Sequence, residues 1–232
     1  MSYGVKISNG KGDIIIDDSY RNAVYLRSIR ITATWQNWVA LPVETNVWYV
    51  FEPLIDDVDS VYIVGCGPKP TRERQYRFIS DCIVHIFGFA DQPSSLTWGL
   101  RIYNAQSHIV FDGGLVPFNV VDYIKGTLQG NDFDTAADLP LLDKVYQKER
   151  VGILLSKGIQ GSATYGGNFY TKAIRFKQSR DTASGGVRVT ANLSTVHASG
   201  KSSKLVGSVG FMKSFINSYS FSIIDCTALP PY

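Results

Sequence analysis

The chain has 232 residues, of which 44% are hydrophobic and 19% charged, and its formal net charge is +3. The abundance of Tyr, Phe, Gly, Ser and Thr is typical of strands joined by turns and argues against a fold dominated by long helices. The three cysteines, Cys66, Cys82 and Cys226, are odd in number and lack metal-ligand spacing, so neither a disulfide framework nor a zinc site is expected.

The first predicted element is a β-hairpin in the stretch YGVKISNGKGDIIID, residues 3–17. Apolar Tyr3, Val5 and Ile7 alternate with other residues, which is the period of a strand, and a turn precedes the returning strand IIID. The stretch WGLRIYNAQSHIVFD, residues 98–112, repeats this pattern position for position, with five identical residues among fifteen. We interpret the two stretches as copies of one duplicated hairpin.

The aligned copies also predict the type of turn. Asn9-Gly10 alone suggests a two-residue type I′ turn, but Ala105 stands at the position of Gly10. A type I turn that begins at the shared Asn fits both copies, with Gly12 or Ser107 in the left-handed position after it.

Between the hairpins, alternation predicts strands over 24–34, 47–52, 60–64 and 76–87. The polar segment 90–95 is the best boundary between modules. Beyond the second hairpin, strands are predicted over 151–156, 169–178, 187–196, 205–211 and 219–225. The stretch 136–147 is read as one short helix, although Pro140 lies within it.

These elements predict an all-β fold with at most one short helix. It would consist of two β-sandwich-like modules, residues 1–95 and 96–232, each opening with a similar hairpin.

Motifs for catalysis are absent from the sequence. It contains no nucleophile elbow, no zinc-protease motif, no phosphate-binding loop and no dinucleotide fingerprint, so we expect no enzymatic activity, no catalytic residues and no cofactor. The carboxylates Asp56, Asp57 and Asp59 lack the spacing of a calcium loop, and no metal site is expected there.

The charge is unevenly distributed along the chain. Residues 150–232 carry a net charge of +8 and the remainder −5. Because the basic residues are scattered among strands without clustered aromatics, nucleic-acid binding is not expected, and an interface with an acidic protein is the simpler interpretation. The segment MSYGVKISNG does not resemble a secretory signal, and no run of 18 apolar residues occurs, so we expect a soluble protein without a membrane span.

Two further segments have surface character. Trp35 and Trp38 flank polar amides in TWQNW and could stack on a sugar. Arg72 and Arg74 belong to a basic loop that we interpret as a protein contact.

The repeated hairpin resembles a motif found in minor tail, tail-tip and tail-fibre-associated proteins of tailed bacteriophages. The motif is an aromatic-Gly-apolar-basic-apolar strand, then Asn-x-x-Gly, then three apolar residues and Asp; Ser107 departs from it. The resemblance implies a structural protein of the virion tail, assembled in the host cytoplasm and oligomeric about the tail axis, with threefold or sixfold symmetry.

Such a protein would act through interfaces with other tail proteins, and a host surface receptor is a further partner to consider. We predict the interface at Tyr3, Ile15, Trp98 and Val110 of the hairpins and at Arg72 and Arg74. The alternatives are a receptor- or carbohydrate-binding tail protein that uses Trp35 and Trp38, and a cell-envelope hydrolase with paired carboxylates.

Overall fold

The computed structural model of the chain describes residues 6–8, 14–17, 21–32, 39–42, 46–54, 61–62, 73–76, 81–128, 132, 137–157, 160–165, 168–199 and 218–231. For several short strands it describes the path of the backbone alone. Within these ranges the strands pair antiparallel, and no α-helix is assigned. The predicted all-β fold class is therefore confirmed.

The described strands are β1 (Lys6–Ser8), β2 (Ile14–Asp17), β3 (Ala23–Ile31), β4 (Val39–Pro42), β5 (Val47–Pro53), β6 (Val61–Tyr62), β7 (Glu73–Tyr76), β8 (Cys82–Phe89), β9 (Arg101–Tyr103), β10 (Ile109–Asp112), β11 (Val120–Thr127), β12 (Leu139–Tyr146), β13 (Val151–Lys157), β14 (Gln160–Tyr165), β15 (Asn168–Arg180), β16 (Val187–Ser199) and β17 (Ser218–Asp225).

The largest described sheet has six strands in the order β11-β17-β13-β5-β8-β3. A second sheet has the order β12-β16-β15-β14, and β6 also pairs with β15. The facing sides of the two sheets share one apolar core, in which the rings of Phe176 and Phe221 meet edge to face with centroids 4.9 Å apart. This face-to-face packing of two sheets is the arrangement of a β-sandwich.

The two halves of the chain repeat the same strand pairings in the same order. In the first half β1 pairs with β2, β4 with β7, and β8 lies between β3 and β5. In the second half β9 pairs with β10, β12 with β16, and β17 lies between β11 and β13. The ladder is irregular between Tyr25 and Arg27 in β3 and, 95 positions later, between Val120 and Asp122 in β11. The repetition inferred from the hairpins thus extends to the strands that follow them.

Strands from both sides of the boundary expected between residues 95 and 96 belong to one sheet. Strands β3, β5 and β8 precede it and β11, β13 and β17 follow it, yet all six form one sheet. At the centre, Phe51 of β5 pairs with Ile153 of β13. The division into an N-terminal and a C-terminal module is therefore a division into repeats that share a sheet and a core.

The segment 116–120 hydrogen-bonds to the edge strand β3 and to the last residue of β17 before it enters β11. Tyr25 N donates to Val116 O and Phe118 N donates to Ala23 O, both on the β3 side. On the β17 side, Asp225 N donates to Asn119 O. The segment covers a second apolar cluster on the face of the sheet opposite the sandwich core, and the central strands are consequently buried on both faces.

Most predicted strands are confirmed with shifted ends. The predicted strand 76–87 is instead two strands, β7 and β8, and β4, β11 and β14 were not predicted. The predicted strand 205–211 lies outside the described residues.

The predicted helix over 136–147 is wrong, because this stretch contains strand β12. Pro140 is tolerated since β12 pairs with a described strand on one side only, and the ladder is irregular between Pro140 and Leu142.

Candidate functional site

The second hairpin, formed by β9 and β10, is the element that the sequence singled out and that the structure describes in detail. Ser107 N donates to Asn104 O, which closes a type I turn. The Asn104 side chain accepts from the backbone N of Gln106 and of His108. Ser107 follows the turn with a φ of 63°. The predicted turn, with Asn first and Ser107 in the left-handed position, is confirmed.

The two hairpins share one register. Lys6 pairs with Asp17 in the first hairpin as Arg101 pairs with Asp112 in the second. In both ladders one residue of the returning strand is skipped, at the same aligned position. The sequence repeat is therefore matched by the same backbone pairing.

A buried carboxylate fixes the chain that leads into the second hairpin. Asp112 accepts from Ser94 N and Oγ, from Gly114 N and from Arg101 Nε at 2.7–3.0 Å. The Arg101 guanidinium also donates to the carbonyls of Ser94 and Leu96. Burial would raise the pKa of Asp112, but these hydrogen bonds outweigh burial and lower the pKa to about 2. Arg101 and Asp112 therefore clamp the segment 94–96 onto the hairpin.

This clamp presents an apolar surface to solvent. Trp98 is 85% exposed, and three large apolar side chains near it in the sequence are between 43% and 54% exposed. Gly99 has a φ of +144°, which L side chains rarely adopt, and this explains why a Gly stands at position 99. We define the hairpin patch as Leu96, Trp98, Leu100 and Tyr103. Exposed apolar side chains on one short segment are typical of sites of interaction.

Of the predicted interface residues, Trp98 is placed on the surface and Val110 is not. Val110 is 1% exposed and packs against Ile102. Strict alternation placed it on the outer face, but it is the residue that the ladder skips. Its carbonyl accepts from the Asn22 side chain, and this contact joins the hairpin to the chain before β3. Val110 therefore presents almost no side-chain surface to a partner in this structure.

The remaining predicted residues are not described by their side chains. Tyr3, Trp35, Trp38 and Arg72 lie outside the described residues. Ile15 and Arg74 lie in β2 and β7, of which the backbone alone is described.

A cavity of about 360 Å³ lies between the second hairpin and the start of β3. Its walls include apolar side chains and two charged ones, Arg21 and Asp112. Arg21 Nη2 donates to Ala90 O at 2.6 Å, and the Arg21 guanidinium lies 4.9 Å from the centre of the Phe89 ring. We call this space the hairpin cavity.

A polar network lies in the interior, and sequence reasoning did not identify it. Glu52 accepts two hydrogen bonds from the Arg150 guanidinium, at 2.7 and 2.8 Å, and one from His85 Nε2 at 2.6 Å. His85 Nδ1 lies 2.7 Å from Ser28 Oγ, which is hydrogen-bonded to the Tyr25 hydroxyl. The sequence contains one indication of this network, the single Glu within the apolar strand VWYVFEP. A charged side chain buried in such a strand requires a partner.

The chemistry of this network is that of a stabilising ion pair. Burial acts to raise the pKa of Glu52, but hydrogen bonds from His85 and Arg150 lower it below its ordinary value. The hydrogen bonds that Arg150 donates to Glu52 raise the pKa of Arg150. The ligand atoms of Glu52, His85 and Cys226 lie within 4.8 Å of one another, but the guanidinium already neutralises the carboxylate.

The series Ser28, His85 and Glu52 resembles the order of groups in a hydrolase triad. His85 is fully buried, however, and none of these three residues lines the hairpin cavity. A nucleophile and its base require access for a substrate, and the fully buried His85 offers none. We assign the network to the stability of the fold.

Ion pairs within the chain also neutralise part of its uneven charge. Arg150 and Arg188 belong to the positively charged segment and pair with Glu52 and Asp143 of the preceding segment. The charge difference along the sequence is therefore smaller on the folded surface than the sequence suggests.

Among the described residues, no helix has the length and apolar character needed to cross a membrane. Comparisons of the chain with protein-family models, with curated proteins and with solved structures find no match.

Proposed function

We propose that this chain is a non-enzymatic structural protein of a bacteriophage tail, located at the tail tip or baseplate. It would be assembled in the host cytoplasm and would act through contacts with other tail proteins in assembly and host attachment. The resemblance of the two hairpin sequences to a motif of phage tail proteins supports the proposal. The sequence on its own carries this resemblance.

The observation that carries the proposal is the hairpin patch. An indole that is 85% exposed is unfavourable in water unless a partner covers it. Arg101 and Asp112 hold the chain on either side of Trp98 in one arrangement, so a partner meets an ordered surface. Aromatic side chains fixed in this way are frequent anchors of protein interfaces.

The repeat supplies a second argument for an interface protein. In the sequence alignment Tyr3 corresponds to Trp98, and Lys6 and Asp17 correspond to Arg101 and Asp112. The backbone pairing of the two hairpins is the same. A protein with two related hairpins can offer related contacts to two neighbours.

The proposal is tested in the phage that encodes the chain. We expect mass spectrometry of purified wild-type particles to detect the chain in a fixed ratio to the other tail proteins. Particles from a phage carrying Trp98→Ala should lose the protein or show incomplete tails in electron micrographs. Leu26→Ala is the matched control, because Leu26 is an exposed apolar residue of β3 remote in sequence from the hairpin.

Two results would contradict the proposal. One is the absence of the chain from purified, infectious particles that have complete tails. The other is normal tail formation after deletion of its gene.

A further inference from the structure

The second hairpin carries both a projecting aromatic side chain and a space that such a side chain can fill. The first is Trp98 of the hairpin patch, and the second is the hairpin cavity. We propose that Trp98 of one copy of this chain enters the hairpin cavity of another copy. This inference rests on the proposed function and identifies a second copy of the chain as one partner of the hairpin patch.

The size and lining of the cavity suit an indole. A cavity of about 150 Å³ lined by apolar side chains can hold a benzene ring, and the hairpin cavity has about 360 Å³. Apolar walls are supplied by Val24, Ala90, Ile109, Leu115 and Phe118. An indole that leaves water for these walls gains the free energy of apolar burial.

The charge at the cavity also favours an aromatic occupant. Arg21 Nε is buried and has no hydrogen-bond partner among the described residues, whereas Nη2 of the same guanidinium binds Ala90 O and the exposed Asp91. The guanidinium also lies over the Phe89 ring. A guanidinium attracts the face of an indole more strongly than that of any other aromatic side chain. An incoming Trp98 would therefore meet apolar walls and a cation at one end.

Hydrogen bonds hold the backbone around Trp98 in place before a partner binds. The carbonyls of Ser94 and Leu96 accept from Arg101, and Asp112 binds Arg101 from the other side. The chain around Trp98 is thus held before any partner arrives, and little conformational entropy is lost on binding. Asp112 also lines the hairpin cavity, so the aromatic side chain and the space lie on one structural unit.

The edges of the six-stranded sheet are poorer sites for self-association. Both edge strands are interrupted by an irregularity at the same aligned position. The exposed Arg27 and Arg30 in β3 and Lys125 in β11 place like charges where strands of two copies would meet. Irregular ladders and basic side chains are the features that protect edges from strand addition. Strand β11 also exposes Val120, Val121 and Tyr123 at 36–55%, but Trp98 at 85% is the most exposed large apolar side chain of the described residues. We therefore place the contact between copies at the hairpin.

The contact joins two different surfaces of the same chain. It can close reciprocally in a dimer or successively in a ring, and both are oligomers. Each intact contact requires Trp98 on one copy and an open cavity on the other. This asymmetry allows the two surfaces to be tested separately.

Sedimentation velocity and light scattering across a range of protein concentrations test the inference. We expect the wild-type chain to self-associate, and Trp98→Ala to weaken association by about 30-fold or more, as for a central aromatic anchor. Ala90→Leu, which narrows the cavity, should weaken association similarly. Leu26→Ala, another exposed apolar position, should associate as the wild type does.

Association of a mixture of the two variants is the more discriminating measurement. Trp98→Ala retains the cavity and Ala90→Leu retains the indole, so an equal mixture of the two variants should form a heterodimer with one intact contact and should associate more tightly than either variant alone. Thermal unfolding of each variant verifies that it is folded; if Ala90→Leu is not, Val24→Ile takes its place as the cavity variant.

A wild-type chain that stays monomeric at all concentrations would overturn the inference, as would unchanged association of Trp98→Ala. A mixture of folded variants that remains monomeric would also overturn it. These results leave the proposed function intact if the chain is found in particles and Trp98→Ala impairs their tails. Self-association through Trp98 in a chain that is absent from the particles would support the contact between copies and contradict the proposed tail function.

Discussion

Glu52 shows how a single residue connects the two repeats. Its carboxylate lies in β5 of the first repeat, and the Arg150 guanidinium that binds it immediately precedes β13 of the second. Arg150 Nη1 also donates to Leu229 O, which ties the C-terminal segment to the same charge. Because Glu52 and His85 are almost fully buried, the energy of this network depends on every partner being present.

We therefore expect Glu52→Gln to destabilise the fold by about 3 kcal/mol, because the Arg150 guanidinium would keep its partly buried position without an opposing charge. Urea denaturation followed by tryptophan fluorescence measures the free energy of unfolding. Asp143→Asn is the control, since it removes the half-exposed carboxylate that pairs with Arg188 on the surface. Equal losses for the two variants would show that the interior network has no special role.

At the scale of elements, the second hairpin depends on the ionised state of Asp112. The folded-state pKa of this carboxyl is about 2, and its ordinary value is 3.8. A lowered pKa in the folded state stabilises the fold above the ordinary pKa, and the contribution is lost as the pH falls through the folded value. The contribution of this group is thus complete at neutral pH and disappears between about pH 4 and pH 2.

Asp112→Asn should therefore lower the free energy of unfolding relative to wild type by about 2 kcal/mol near pH 7, from the linkage between pKa and stability. The difference should shrink as the pH falls from 4 to 2. Chemical denaturation at a series of pH values measures it. Asp91→Asn serves as the control, because Asp91 is a solvent-exposed partner of Arg21. A difference between wild type and Asp112→Asn that stays constant down to pH 2 would contradict the assigned pKa.

The elements also show which features a sequence can predict. The turn at Asn104 and Ser107 was predictable because its hydrogen bonds join residues within five positions of one another. The strand β12 was mistaken for a helix because its sequence, LPLLDKVY, lacks strict alternation, and its partner strand β16 begins about 40 residues later.

The candidate site was predictable to a similar extent. Trp98 could be identified from the repeat, whereas Val110 could not be placed, since a skipped residue in a ladder leaves the alternation of the sequence unchanged. The network around Glu52 joins residues 33 and 98 positions apart. Such contacts depend on the arrangement of the whole sheet, which local patterns do not specify.

At the scale of the whole molecule, the shared sheet makes the two repeats mutually dependent. The sandwich core contains side chains of both repeats, among them Phe51 and Ile86 of the first and Ile153 and Phe176 of the second. Neither repeat alone would cover these side chains. The fold is therefore expected to unfold as one cooperative unit.

We expect residues 1–95 and 96–232, produced as separate chains, to lack cooperative thermal unfolding when each is alone. A mixture of the two fragments should recover it, because strands β5 and β13 can then pair. Circular dichroism during heating and gel filtration of the mixture provide the measurement, with the uncut chain as the reference. Cooperative unfolding of either fragment alone would show that the repeats are independent domains.

The pairing of Phe51 with Ile153 has a consequence for the chain as it leaves the ribosome. These residues are about 100 positions apart, and synthesis proceeds at about 5–20 residues per second. The inner edge of β5 must therefore wait about 5–20 s for its partner while the apolar strand VWYVFEP is already outside the exit tunnel. During that interval the nascent protein is open to capture by chaperones or by other emerging copies, so the speed of translation through the second repeat influences how much of it folds correctly.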